Sequence, residues 1–180
     1  MTEELMIIRR VVGGDVDSFR SLVERYQRPV LRMIRHIIND RHACEDVGQE
    51  VFLTAYKKLA SFDPARSSFS TWLFTIARNM SLNALKKKRM ATPGDLPDQA
   101  DPRRPWEDLA EREFFDEMDR RLQALPPGQR MAFILAEFED LPYDQIAQIE
   151  GVSTGTVKSR ISRAKRTLRS ALADLCGDRA

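Results

Sequence analysis

Apolar residues recur at helical spacing along most of the chain, and strand-like alternation is nearly absent. The pattern predicts a first helix over Glu3–Val12, which Gly13-Gly14 ends and after which Asp15 provides an N-cap. From Val16 onward a second helical stripe follows: Phe19, Leu22, Val23, Tyr26, Val30, Ile34, Ile37 and Ile38. Pro29 within that stripe predicts a break or a kink.

Two further helices are predicted before residue 90. The third runs from about Ala43 to Leu59, and its inward positions are Val47, Val51, Phe52, Ala55 and Leu59. A loop at Ser61–Ser68 contains the turn-forming pair Asp63-Pro64. The fourth helix runs from about Phe69 to Lys88, with an apolar stripe of Phe69, Trp72, Leu73, Ile76, Ala77, Met80 and Ala84. Its opposite face carries Arg78, Asn79, Ser81 and Asn83.

The segment 91–105 is acidic and rich in proline, so it predicts a flexible linker. Helices are predicted again over Trp106–Leu125 and Gln129–Glu139, separated by a turn at Pro126-Pro127-Gly128. The predicted fold class is therefore all-α, with two small helical domains joined by a flexible linker. The predicted boundaries are 1–90 for the first domain, 91–105 for the linker and 106–180 for the second domain.

A helix-turn-helix is predicted near the end of the chain. Tyr143–Glu150 can form a short helix, Gly151-Val152 a tight turn, and Ser153 the N-cap of a second helix. The inward stripe of that second helix is Val157, Ile161, Ala164, Leu168 and Leu172. No acidic residue occurs between Gly151 and Ala173.

Charge is distributed unevenly, although the formal net charge is only +2. Cations gather at 86–89 and 158–169, and acids gather at 95–119. Small residues at the start of a recognition helix let its backbone approach base edges, and arginine can bond guanine bidentately. The residues expected to meet DNA here are Ser153, Thr154, Gly155, Thr156, Lys158, Ser159, Arg160, Ser162, Arg163 and Arg166. Lys165 is expected to hold a phosphate, and the alternative for the whole face is a solvated basic surface.

Catalytic and metal chemistry has little support in the sequence. Cys44 and Cys176 lie far apart, and His36 and His42 are isolated, so no catalytic residue, metal site or cofactor is predicted. Neither a signal peptide nor a membrane-spanning run is evident, which predicts a soluble cytoplasmic protein without membrane insertion.

Three segments resemble, in family order, the bacterial RNA polymerase sigma factors of the extracytoplasmic-function (ECF) group of the sigma-70 family. The segment YDQIAQIEGVSTGTVKSRISRAKRTLR is similar to the family region that reads the −35 element. The segment EDVGQEVFLTAYKKLASFDP is similar to the family's region 2.2. Regions 2.3 and 2.4 are similar to FSTWLFTIARNMSLNALKKKR. The resemblance implies a promoter-specific transcription initiation factor whose partners are promoter DNA, core RNA polymerase (β′ clamp helices and β flap) and an anti-sigma factor.

The resemblance also implies roles for particular residues. Asp46, Gln49 and Glu50 match the motif that docks on the β′ clamp helices. Gly48 stands where many members carry a larger apolar residue and is expected to thin the local packing. Glu150 stands where an apolar residue usually precedes the turn glycine, and a slight rotation of the turn would expose it.

The N-terminal domain is expected to read the −10 element. The loop and the fourth helix supply the candidate residues Ser61, Phe62, Asp63, Arg66, Ser67, Arg78, Asn79, Asn83, Lys86 and Lys87. Family members capture a base flipped from the non-template strand in this loop, which requires unstacked DNA. Trp72 is either a melting wedge or, as its apolar stripe favours, a core residue. The linker either threads the polymerase cleft or acts as a plain spacer, and an AAC core in the −35 element is the family-level expectation.

Three other classes of function fit the sequence less well. A stand-alone DNA-binding regulator would share the helix-turn-helix but should carry a receiver or ligand domain of alternating strands and helices. A helical adaptor would not need the basic face. An enzyme has the least support, since no nucleophile, metal cluster or phosphate loop is evident.

Overall fold

The computed structural model describes residues 2–38, 40–91, 118 and 120–177, with side chains for all of these except 88–91 and 171–177. The chain divides into two compact units, Met1–Leu96 and Pro97–Ala180. Every regular element in the described ranges is helical. The predicted all-α fold class is confirmed. The predicted linker lies, from residue 92 onward, outside the described residues.

Four α-helices build the first unit: α1 (Glu3–Val12), α2 (Phe19–Ile37), α3 (Arg41–Lys58) and α4 (Phe69–Ala91). A short 3₁₀ turn, Val16–Ser18, leads into α2, and another, Leu59–Ser61, follows α3. Asp15 is confirmed as a cap, since its carboxylate accepts a hydrogen bond from the Ser18 amide at 3.3 Å. Asp40 caps α3 in the same way, so α3 begins two residues before the predicted Ala43.

Helix α2 continues through Pro29, so the predicted alternative of a break is wrong, and that of a kink stays a prediction. Proline removes one intrahelical hydrogen bond. Buried side chains lie on both sides of it, Leu22 before it and Val30 and Met33 after it. Packing of these residues into the core of the unit compensates for the missing bond, because burial of each large apolar side chain contributes about 1.5–3 kcal/mol.

The inward face of α4 is rotated from the predicted one. Phe74 and Thr71 are buried together with Phe69, Leu73 and Ala77, whereas Trp72, Ile76, Met80 and Ala84 are half-buried. Ser81, placed on the polar face by the sequence pattern, is fully buried. Its hydroxyl donates to the carbonyl of Ala77 at 2.8 Å, which satisfies the polar group inside the core.

Gly48 is buried on the side of α3 that packs against α2. A Cβ at this position would stand 2.6 Å from Cδ2 of Leu31. The expectation that glycine thins the packing here is therefore wrong: the missing side chain leaves room for Leu31, and the two helices pack closely at this point.

The second unit contains α5 (Pro127–Glu137), α6 (Tyr143–Glu150) and α7 (Thr154–Gly177), preceded by a helical stretch at 120–124. Pro127 and Gly128 were predicted to form a turn, but they begin α5. Proline is well suited to the first helical turn because its missing N–H has no intrahelical acceptor there. The buried residues include Leu122, Leu125, Met131, Ile134, Leu135, Ile146, Ile149, Val157, Ile161, Ala164 and Leu168.

The turn between α6 and α7 ends α6 at a left-handed glycine. Gly151 has φ 66° and ψ 37°, a conformation that disfavours every residue with a Cβ. The amide of Val152 donates to the carbonyl of Ala147 at 3.0 Å, and that of Gly151 to Gln148 at 3.3 Å. This pair of bonds is a Schellman motif, and it confirms the predicted glycine turn.

We expect Gly151→Ala to destabilise the second unit by about 1–2 kcal/mol, the cost of a left-handed conformation for a residue with a side chain. Gly155→Ala is the control. Its Cβ would meet only Ser153 Oγ, at 3.8 Å, and better helix propensity should stabilise the unit by up to about 1 kcal/mol. Native-state hydrogen exchange of the α7 amides measures the change in unfolding free energy for both variants. Changes of the same sign in the two variants would contradict the turn geometry.

Candidate nucleic-acid interface

Helix α7 presents two different faces within the range 154–170. Val157, Ile161, Ala164 and Leu168 are buried, as predicted, whereas the side chain of Leu172 lies outside the described residues. On the opposite face, Gly155, Ser162, Arg163 and Arg166 are exposed, and Ser159 is half-buried. The exposed face therefore combines small residues near the helix start with two arginines further along.

The start of α7 is capped by its own residues. Ser153 Oγ accepts a hydrogen bond from the Thr156 amide at 3.2 Å and lies 2.9 Å from the Thr156 hydroxyl. The predicted N-cap at Ser153 is confirmed. Thr154 and Lys158 are exposed beside it, and Ser159 donates to the carbonyl of Thr156 at 2.9 Å.

Two cations at the edges of this face have acidic partners within the unit. Arg160 forms an ion pair with Glu150, whose side chain is only 3% exposed. Glu150 is thus buried, and the expectation that it could face solvent is wrong. Lys165 Nζ lies 2.8 Å from Glu137 Oε1, and this hydrogen bond raises the pKa of Lys165. Sequence spacing did not reveal these pairs, because their acids lie on α5 and α6.

A polar edge runs along the outside of α3. Asp46, Gln49 and Glu50 are all exposed, one helical turn from each other at most. Val47, Gly48 and Val51 are buried on the other side of the helix, together with Cys44. Leu53 and Tyr56 extend the exposed edge, with 52% and 36% of their surface accessible. The sequence pattern did not single out these two apolar residues.

Cys44 is a core residue. Its thiol donates to the carbonyl of Ile38 at 3.0 Å, and burial raises its pKa to about 11. No group of three or more His, Cys, Asp or Glu side chains that could hold a metal ion occurs in the part of the chain that the structure describes.

The loop before α4 rests on an aromatic cluster. Phe62 packs against Phe69 and Trp72, with ring centroids 5.7 Å and 5.4 Å away. Trp72 is half-buried within this cluster, so its packing role is visible in the structure. Asp63 shapes the loop, since its Oδ1 accepts a hydrogen bond from the Ala65 amide at 2.9 Å.

The other −10 candidates are distributed over this loop and α4. Ser61 donates to the carbonyl of Lys58 at 2.7 Å, Arg66 is exposed and Ser67 is half-buried. On α4 the exposed residues are Asn79, Asn83, Lys86 and Lys87. Arg78 is half-buried and donates to Asn79 Oδ1 at 3.2 Å. One side of α4 therefore offers amides and cations to solvent.

Profiles of two protein families match the chain. The family described as Sigma-70 region 2 matches residues 22–90, and that described as Sigma-70, region 4 matches residues 115–168. Among curated proteins, the ECF RNA polymerase sigma factor SigW of Bacillus subtilis is 32% identical, over 96% of this chain and 100% of that protein. The RNA polymerase sigma-H factor of Pseudomonas aeruginosa is 34% identical, over 96% of this chain and 95% of that protein.

Solved structures show the same similarity. The sigma factor RpoE of Bartonella quintana, in complex with the anti-sigma factor NepR, has a TM-score of 0.74 at 26% identity, over 86% of this chain and 96% of that one. CnrH in complex with the cytosolic domain of CnrY has a TM-score of 0.72 at 25% identity, over 94% and 96% of the two chains. Among the described residues, no helix has the length and apolar character needed to span a membrane.

Proposed function

The chain belongs to the ECF group of sigma-70 family RNA polymerase sigma factors, and we propose that it directs core polymerase to promoters by reading the −35 element with α7 and the −10 element with its N-terminal unit. The observation that carries this proposal is the outward face of α7. That face joins a capped helix start, an exposed glycine and two exposed arginines.

A few residues of α7 are proposed to select the −35 sequence. Ser159, Arg163 and Arg166 lie opposite the buried stripe, on the side that would enter the major groove. Arginine is the side chain best suited to a guanine, and serine bonds to several base edges. Thr154 and Lys158, near the helix start, are suited to phosphates.

Core polymerase is the proposed partner of the exposed edge of α3. Asp46, Gln49 and Glu50 supply acceptors and charge, while Leu53 and Tyr56 supply apolar surface beside them. Apolar and aromatic side chains within a polar rim are typical of protein interfaces. The β flap is the corresponding proposed partner of the C-terminal unit.

The −10 element is the proposed ligand of the loop at 61–68 and the exposed side of α4. Asn79 and Asn83 offer amides for base edges, and Lys86 and Lys87 offer charge for the backbone. Arg66, exposed in the loop, adds a further cation. Because Phe62 packs against Phe69 and Trp72, base capture would use the polar loop atoms and the outer edge of this aromatic cluster.

An anti-sigma factor is the proposed regulator. The structurally similar RpoE and CnrH were solved with an anti-sigma factor and with the cytosolic domain of CnrY, respectively. The exposed Leu53 and Tyr56 on α3 give such a protein apolar surface to cover. Affinity purification of the tagged chain from its native cell, under growth and stress, should recover an inhibitory protein that competes with core polymerase. Its absence in every condition would count against this regulation.

The central test is transcription from purified components. The chain should bind core polymerase without DNA and support run-off transcription from a promoter selected out of a randomised library. A stand-alone regulator would instead bind duplex DNA tightly by itself and require a separate sigma factor. Failure to bind core polymerase would refute the proposed function.

We expect Arg163→Ala in the holoenzyme to change the preferred −35 sequence, with about 1–3 kcal/mol of discrimination lost at one base pair. Lys158→Ala is the control of equal charge. It should weaken binding to all −35 sequences alike and lower the slope of log affinity against log salt concentration by about one. Lys165 is a poorer control than the sequence implies, because Glu137 pairs with it. Selection from a randomised −35 library measures both variants, and an unchanged preference in Arg163→Ala would exclude that residue from base reading.

We expect Glu50→Ala to weaken binding of the chain to core polymerase by roughly tenfold to a hundredfold, the value of one charge-assisted hydrogen bond of about 1.5–3 kcal/mol. Glu24→Ala removes an equal charge from the surface of α2, where Glu24 pairs with Arg20, and should leave binding unchanged. Titration of labelled chain with core polymerase in the absence of DNA gives both dissociation constants. Equal losses in the two variants would point to a general effect of charge.

A further inference from the structure

An ion pair lies inside the helix-turn-helix, where α5, α6 and α7 meet. Glu150 is the last residue of α6, and its side chain is 3% exposed, whereas that of Arg160, in the second turn of α7, is 28% exposed. A carboxylate withdrawn from water in this way is costly unless a cation compensates it. Arg160 supplies that compensation and joins the end of α6 to the recognition helix.

The guanidinium of Arg160 also contacts α5. A Cβ at Gly128 would stand 2.9 Å from Arg160 Cζ and 3.1 Å from Nε, so the planar group packs against the backbone of the first turn of α5. Any residue with a Cβ at position 128 would enter the space that the guanidinium of Arg160 occupies. A single group therefore connects three helices of the unit.

Arg160 occupies a position on α7 from which its contacts with α5 and α6 can affect the rotation of the helix. Arg160 lies at the edge between the buried residues Val157 and Ile161 and the outward face. Consecutive residues of an α-helix are about 100° apart, so any rotation of α7 that moves the backbone of Arg160 turns Ser159 and Arg163 with it. At the other edge, Lys165 pairs with Glu137 of α5. The two pairs therefore join opposite edges of α7 to α6 and α5, and the pair of Arg160 with the buried Glu150 is the less exposed of the two.

We propose that Arg160 is a positioning residue: held by Glu150 over Gly128, it sets the rotation of α7 and so determines which base pairs Ser159 and Arg163 meet. It does not bind DNA itself. The inference rests on the proposed −35 reading by α7, which it deepens. It assigns promoter specificity to a pair of residues behind the reading face.

A double-mutant cycle tests the proposal in the full chain. Glu150→Leu and Arg160→Leu should each lower the unfolding midpoint of the second unit. In the holoenzyme each should reduce discrimination between the preferred −35 sequence and its single-base variants at least threefold, on the order of 0.7 kcal/mol. The double variant should recover most of both losses, because a well-packed apolar pair can replace a buried ion pair. The exposed pair Arg20–Glu24 on α2, replaced in the same way, is the control and should change neither quantity.

A direct role in DNA binding predicts a different pattern. Arg160→Leu would then lower affinity for every sequence and reduce the salt slope by about one, with equal effect in the Glu150→Leu background. Glu150→Leu alone would raise affinity by removing an acid near the phosphates. That pattern would overturn the proposal. A wild-type holoenzyme that selects no −35 sequence would instead refute the proposed function, and the positioning role would fall with it.

Gly128→Ala perturbs the same contact without changing any charge. The added methyl displaces the guanidinium of Arg160, so the −35 preference should shift in the direction seen for Arg160→Leu, with the salt slope unchanged. Arg160→Lys keeps the charge but lacks the planar fork that packs on Gly128, so the salt slope should stay at the wild-type value while the wild-type −35 preference is lost. A Gly128→Ala holoenzyme with wild-type preference and wild-type discrimination would contradict the positioning role.

Discussion

The burial of one side of α7 is the constraint on which the second unit depends. Val157, Ile161, Ala164 and Leu168 recur at intervals of three and four residues and are all buried. Their transfer from water fixes which side of the helix faces inward, and the opposite side is left to small residues and arginines. The outward face that we propose to read DNA is thus a consequence of packing. The core decides which side of α7 faces outward, and the finer rotation is what we propose Arg160 to set.

The sequence predicted this unit well because its signals are local. A glycine at the end of α6, a serine before α7 and the apolar spacing of α7 each act within a few residues, and Gly151 and Ser153 hold the predicted conformations. The exposure of Asp46, Gln49 and Glu50 also followed from periodicity. The sequence indicated other features less well. These features depend on contacts with residues far along the chain, or on a polar side chain that forms its hydrogen bond within its own helix.

Three residues illustrate that limit. Ser81 is polar and yet buried, since its hydroxyl bonds to the carbonyl one turn earlier, and no hydrophobicity pattern identifies this in advance. Gly48 is explained only by Leu31 on the neighbouring helix. Glu150 is buried because Arg160, ten residues later, lies across the turn from it. An acid where an apolar residue is expected, followed by a stretch without acids from Gly151 to Ala173, was the available signal for that pair.

The close contact at Gly48 has a consequence for how this protein can vary. A side chain at 48 and the end of Leu31 would occupy the same space between α2 and α3, so the leucine side chain must turn aside wherever position 48 gains bulk. In homologous chains that keep this helix spacing, bulk gained at one position should be accompanied by bulk lost at the other. Where both positions are large and the side chain at 31 has no room to turn aside, α3 must shift outward, and the polar edge that it carries shifts with it. In aligned relatives, the sizes of the residues at positions 48 and 31, taken together, should therefore indicate how far the polar edge of α3 has shifted.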